Sequence, residues 1–399
     1  MTQKESANPR PLDGITVLSL EHAVAAPFAS RQLADLGARV IKVERPGSGD
    51  FARNYDSRVK GQSSYFVWLN RSKESITLDI RHPDGARVIR QLLEKCDVLV
   101  QNLAPGASSR LGLSAAALRP SHPRLIVCDI SGYGQNGPYR DRRAYDLLIQ
   151  AETGLLTLTG TPEAPSRAGI SVADIAAGMY AYSQILVALL QRGRTGRGSH
   201  IDVSMLEALG EWMGNPMYYA FANQPQAPRS AASHPSVYPY GPFAMREGAV
   251  IFSVQNEREW ETFCRIVMAQ PALRQDAKFC TVEQRNAHRG ELQALIEARF
   301  AALESATVIA LLDEAGIGNA RMNDMHGFWN HPQLAARGRW TEVASPGGPV
   351  PALFPPGASD AFTCRMDPIP AVGEHSDAIL GELGYTEDEI RKLRAGNVI

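Results

Sequence analysis

The chain has 399 residues, too many for one compact core and enough for about two or three domains. Its 41 Lys and Arg balance 42 Asp and Glu, so no global field draws it to nucleic acid or to an anionic membrane surface. Five cysteines (Cys96, Cys128, Cys264, Cys280 and Cys364), odd in number and without a Cys-x-x-Cys pair, read as reduced thiols of a cytoplasmic protein rather than a zinc or redox centre.

Met1 to Arg10 lacks the apolar core of a signal peptide. Beyond it, short apolar runs alternate with helical patterns. Strands are expected at Ile15 to Leu20, Arg39 to Glu44, Ser75 to Asp79, Asp97 to Gln101 and Leu125 to Ile130, with helices over Phe28 to Leu36 and about Asp84 to Lys95. Short, largely apolar strands separated by amphipathic helices predict a parallel sheet covered on both faces, a doubly wound, Rossmann-like α/β domain.

Gly169 to Leu190 reads as a long apolar helix whose lone charge, Asp174, stands at its mouth. Ser183 and Gln184 break the stretch from Ile175 to Leu190, which is short for a membrane span, so a buried helix is expected. Aspartate is a favoured N-cap, and the plain reading of Asp174 is a cap on the first free N–H groups. The same N–H groups and the helix dipole hold a carboxylate ionised, the form that attacks a carbonyl, so a cap and a nucleophile are compatible.

Residues 1–222 are read as the first part of the large α/β domain, and 223–240, rich in proline and small polar residues, as a linker. Residues 241–325 form a smaller α+β domain, in which Pro242 to Met245 and Ala249 to Val254 flank Arg246-Glu-Gly248 as a hairpin. Residues 326–399 carry a second Pro/Gly-rich passage and a last helix opened by the capping box Thr386-Glu-Asp-Glu389. This tail is too small to fold alone and is expected to return to the large domain.

Several chemistries are excluded. Gly47-Ser-Gly-Asp-Phe-Ala52 formally matches a dinucleotide fingerprint, but Glu44-Arg-Pro46 separates it from its strand and Asp50 would face a pyrophosphate. There is no Walker A sequence and no Gly-x-Ser-x-Gly elbow, and His326 and His331 fit no metal spacing, so no metal site is expected. Arg45, Lys73 and Arg110 do recur near predicted strand ends, where an open α/β sheet gathers ligands and where cations suit a multiply phosphorylated one.

The motifs are specific enough to name a family. Gly14 to Leu18, His22, Pro27, Leu36 to Asp50, Leu69 to Asp79, Asp97 to Arg110, Ser131 to Pro138, the Asp174-x-x-x-Gly-Met179 helix and Gly373-Glu-His375 resemble class III, formyl-CoA transferase type, CoA-transferases over nearly the whole chain. The resemblance implies that Asp174 is a nucleophile which passes CoA from an acyl-CoA donor to a carboxylic acid through an aspartyl anhydride and an aspartyl-CoA thioester. It also implies coenzyme A as a substrate with no permanently bound cofactor, and an interlocked homodimer in which each chain threads through the ring of the other.

CoA-holding positions carry over onto His22, Ala23, Arg45, Lys73, Asn102, Leu103, Arg110, Arg143 and Tyr145. Val24 stands where formyl-CoA transferases carry a glutamine, and their glycine-rich flap is missing after Tyr240, departures that speak against formyl or oxalate substrates. Ala208 to Met213 and His234 to Pro242 look like members that use dicarboxylic acids such as succinate, malate or glutarate. The 2-methylacyl-CoA racemases of the same fold use an upstream His-Asp pair, where this chain reads Tyr145-Asp146, so isomerisation lacks one proton carrier. A non-catalytic CoA-binding protein, with Asp174 merely a cap, is the other alternative.

Overall fold

The computed structural model describes residues 8–399; residues 1–7, part of the stretch read for a leader, lie outside the described residues. The chain forms two compact units. One holds the described residues up to Thr153, Ala168–Asn215 and Leu334–Ile399; the other holds Gly154–Arg167 and Pro216–Gln333.

In the first unit, β1 (Thr16–Leu20), α1 (Ala25–Asp35), β2 (Arg39–Glu44), β3 (Lys73–Thr77), α2 (Pro83–Leu93), β4 (Val98–Gln101), α3 (Ala107–Arg110), β5 (Ile126–Ser131), α4 (Asp146–Glu152), α5 (Val172–Thr195) and β6 (His200–Ser204) follow in order. The strands build one parallel sheet ordered β3-β2-β1-β4-β5-β6, the doubly wound class that the sequence predicts. Its sixth strand, β6, lies beyond those expected. The order reverses between β1 and β4, and the crevice at their carboxyl ends is where such sheets take ligands.

One face of the sheet presents Leu18, Ile41, Ile76, Leu99 and Val127 to Val88, Ile89 and Leu92 of α2. Ile379, Leu380, Ile390, Leu393 and Val398, from the C-terminal residues, pack into the same core. The helix Glu387–Ala395 begins with the capping box read from Thr386 and Glu389.

Helices α1 and α5 cover the other face. By length and composition α5 is long and apolar enough to cross a membrane. Here it packs Ala173, Ala176, Ala177, Ala181 and Ile185 inward. Gly178 brings it hard against α1, since a Cβ there would stand 2.6 Å from the Ala25 carbonyl oxygen. Beneath α1 the sheet is not apolar. Glu21, Lys42, Lys73 and Asp50 are buried together, with Lys42 Nζ 2.8 Å from Asp50 Oδ2 and Lys73 Nζ 2.7 Å from Glu21 Oε1. Buried ions persist only when paired, and each of these is.

The second unit has its own core of Phe243, Val250, Phe252, Trp260, Phe263, Ile296 and Phe300. The expected hairpin is present as Tyr240–Ala244 against Ala249–Ser253, and Asn319–Arg321 adds a third antiparallel strand. The passage 223–240, read as a linker, ends inside this core, because Tyr238 is buried and its carbonyl accepts a bond from the fully buried Arg285. A proline-rich composition hid an anchored aromatic.

Candidate active site

The site begins at the turn from β1 into α1. Ala23 adopts a left-handed backbone, φ 59°, which costs a non-glycine residue about 1 kcal/mol and needs an external hold. Two side chains supply it. Asn102, just past β4, accepts from the His22 N–H at 2.9 Å and donates Nδ2 to the His22 carbonyl at 2.9 Å. Asp50, anchored on Lys42, accepts from the Ala23 N–H at 3.3 Å. The ends of β1 and β4 are thereby tied across the switch point.

A cleft of about 1060 Å³ opens there, walled by His22, Arg45, Asp79, Arg81, Leu103, Arg110 and other residues from the ends of β1 to β4. Arg45, Arg81 and Arg110 are all exposed and line this one concavity. Guanidinium forks pair with phosphate in a bidentate way. Burial lowers the pKa of the His22 imidazole, whose ring stacks on Phe51 at 5.5 Å.

Asp174 lies on α5, which packs against α1. It is the third residue of α5, not its N-cap, a position that falls to Ser171. The capping acceptor comes from elsewhere: Asp146 Oδ1 accepts from the Ala173 N–H at 2.8 Å and the Asp174 N–H at 3.4 Å, while Gln150 donates to Asp146 Oδ2 at 2.6 Å. Relieved of capping, the Asp174 carboxylate faces the Ala25 N–H at the start of α1. Burial first, and then the neighbouring Asp146 charge, push its pKa up to about 7, against a lowering from that N–H. The carboxylate expected to be held ionised by its helix end is instead poised near neutrality.

The residues drawn from the sequence divide accordingly. His22, Ala23, Asn102 and Leu103 meet at the switch point, and Arg45 and Arg110 face the cleft. Arg143 and Tyr145 are exposed, the latter directly before α4 and Asp146. Lys73 is the exception. Its ammonium is fully buried, bonded to Glu21, the Pro27 carbonyl and Asn70, and offers nothing to a phosphate. The cation that the end of β3 does present is Arg81, which sequence reading passed over although it follows its strand much as Arg45 follows β2. Tyr55 was missed too. Its phenol is pushed up to about 12 by burial, with Asp50 and Asp174 adding to the rise, and its ring meets Phe51 at 5.7 Å and Tyr65 at 5.3 Å.

Comparison with known proteins gives the family. The model of CoA-transferase family III matches residues 12–376. The chain is 35% identical to the mouse (Mus musculus) succinyl-CoA:glutarate CoA-transferase, covering 100% of this chain and 92% of that protein. It is 32% identical to the succinate–glutarate CoA-transferase of Agrobacterium fabrum, covering 97% and 99%. A crystal structure of a CAIB/BAIF family protein from Brucella suis superposes with a TM-score of 0.85 at 33% identity, over 94% of this chain and 100% of that one. A parallel sheet with an arginine-lined cleft at its switch point and a match along almost the full length lead to one conclusion: the chain belongs to CoA-transferase family III and is an enzyme of that class.

Proposed function

We propose that this enzyme moves CoA from a dicarboxylic acyl-CoA, of which succinyl-CoA is the type, to a second dicarboxylic acid of about glutarate size, with Asp174 as the covalent carrier. The observation that carries the proposal is the poised Asp174 carboxylate beside the N–H of Ala25, three residues along the chain from His22 of the cleft. Dicarboxylate names recur among the relatives, which supports the substrate class. Val24, apolar and buried at the start of α1, supports the same reading against formyl transfer.

The steps balance without ATP. An oxygen of ionised Asp174 attacks the thioester carbonyl and expels CoA thiolate, leaving a mixed anhydride. The thiolate attacks the aspartyl carbonyl, releasing the donor as a carboxylate and forming an aspartyl-CoA thioester. The acceptor carboxylate then displaces the thiolate to give a new anhydride, and the thiolate attacks the acceptor's carbonyl, freeing product acyl-CoA and Asp174. Each intermediate hydrolyses in water, so the half-buried position of Asp174 protects it.

In this reading Arg45, Arg81 and Arg110 take the phosphates, while His22, Ala23, Asn102 and Leu103 flank the pantetheine arm and Arg143 and Tyr145 stand near the reacting end. Lys73 is left out. The active form is a homodimer, supported by apolar side chains exposed on α5 and just after β6, Val187, Leu190 and Trp212; light scattering giving only monomer mass would oppose it.

A panel of acyl-CoAs and free acids analysed by mass spectrometry tests the function. New acyl-CoA appearing in step with donor loss supports transfer. Epimerised acyl-CoA without exchange of acids would assign an isomerase instead.

A further inference from the structure

On the face of the sheet otherwise lined by Leu18, Leu99 and Val127, three polar side chains stand on adjacent strands, Gln101 at the carboxyl end of β4, Asp129 within β5 and His200 at the start of β6. Gln101 of β4 is in register with Asp129 of β5, and His200 of β6 pairs one step down, opposite Val127. Gln101 Nε2 donates to Asp129 Oδ1 at 2.5 Å, and His200 Nε2 lies 2.8 Å from Asp129 Oδ2. Gln101 Oε1 accepts from the Leu103 N–H at 3.1 Å.

This order admits one orientation. An ionised carboxylate only accepts, so Asp129 draws the NH2 end of the Gln101 amide and turns its oxygen to the Leu103 backbone. Gln101 and Asp129 are buried, 4% and 3% exposed, and a buried carboxylate among apolar neighbours is costly where leucine would pack. What the line secures is the backbone of Asn102 and Leu103, the point where β4 leaves the sheet. There Asn102 grips the His22 backbone, and Leu103 walls the cleft.

We propose that Gln101, held by Asp129 and His200, is a positioning residue that fixes the Asn102–Leu103 wall in the shape that binds CoA. The proposal rests on the reading of the cleft as the CoA site. Loss of the arrangement weakens CoA binding and leaves the covalent steps at Asp174 untouched.

A charge swap tests it. In Gln101→Glu at pH 8, with both carboxylates ionised, their repulsion displaces the introduced side chain from its place between Asp129 and the Leu103 N–H. In the double variant Gln101→Glu with Asp129→Asn, the donor and acceptor exchange places, and an oxygen of the introduced carboxylate is again free for the Leu103 N–H. Calorimetric titration with CoA is expected to give a dissociation constant raised about tenfold in Gln101→Glu and restored to within about threefold in the double variant. At saturating acyl-CoA, kcat is expected to change less than about threefold in both. A Gln101→Glu enzyme that binds CoA as the native enzyme does, or a loss confined to kcat, overturns the proposal. If Gln101→Glu does not fold, Gln101→Met in the same titration decides, its native affinity being the contradicting result. A native enzyme that fails to bind CoA sinks the cleft reading itself, a separate outcome.

Discussion

Asp174 and Asp146 are a carboxylate pair with divided labour. Asp146 takes the N–H groups at the start of α5, and its charge, together with burial, raises the pKa of Asp174 to about 7. In the proposed reaction Asp174 attacks as the anion, so kcat/KM is expected to rise with pH through about 7. Asp146→Asn keeps an oxygen to cap α5 but removes the charge; the acid limb should move down by about one pH unit in a pH–rate profile. An unmoved limb would mean that burial alone sets the value. Stability carries the opposite sign. A carboxyl whose folded pKa is raised above its unfolded value favours folding in the protonated form, and that advantage is lost as pH rises through about 7. Asp174→Asn is therefore expected to melt with the native enzyme at pH 4 and above it at pH 8, while losing at least about a thousandfold in turnover.

At the scale of elements, the approach of α5 to α1 puts the Asp174 carboxylate beside the Ala25 N–H, and Gly178 permits it. Gly178→Ala would place a Cβ 2.6 Å from the Ala25 carbonyl oxygen, backbone that cannot swing aside. Thermal unfolding is expected to show a loss of about 1–3 kcal/mol, and kcat should fall together with it. Full stability would show that the helices separate without harm. The elements themselves were readable, because β1, β2 and β4 are short apolar runs and α2 repeats with helical period. Their polar contacts were not. Sequence assigns the cap of α5 to the nearest carboxylate, yet the acceptor is Asp146, 28 residues before Asp174. Lys73 reads as a free cation until Glu21, 52 residues away, is folded against it. Partner distance along the chain, rather than residue type, separates what was legible from what was not.

For the whole molecule, a net charge of −1 leaves no long-range attraction for an anionic substrate, so in the proposed reading recognition of CoA rests on the local arginines of the cleft. Arg81→Gln is expected to raise the KM for acyl-CoA about tenfold with kcat little changed, whereas Lys73→Met should act on thermal stability rather than through a lost phosphate contact. The doubly wound class followed from alternation alone, and the family from motifs spread over the chain. The extent of the second unit did not, since it takes in Gly154–Arg167 from before α5. All of this converges on one claim, that Asp174 carries CoA. Enzyme quenched in acid during turnover with succinyl-CoA and glutarate, then digested and examined by peptide mass spectrometry, tests it most directly. CoA in thioester linkage on Asp174, absent without acyl-CoA and from Asp174→Asn, is the predicted result; reproducible label on another carboxylate, with Asp174 unmodified, would contradict it.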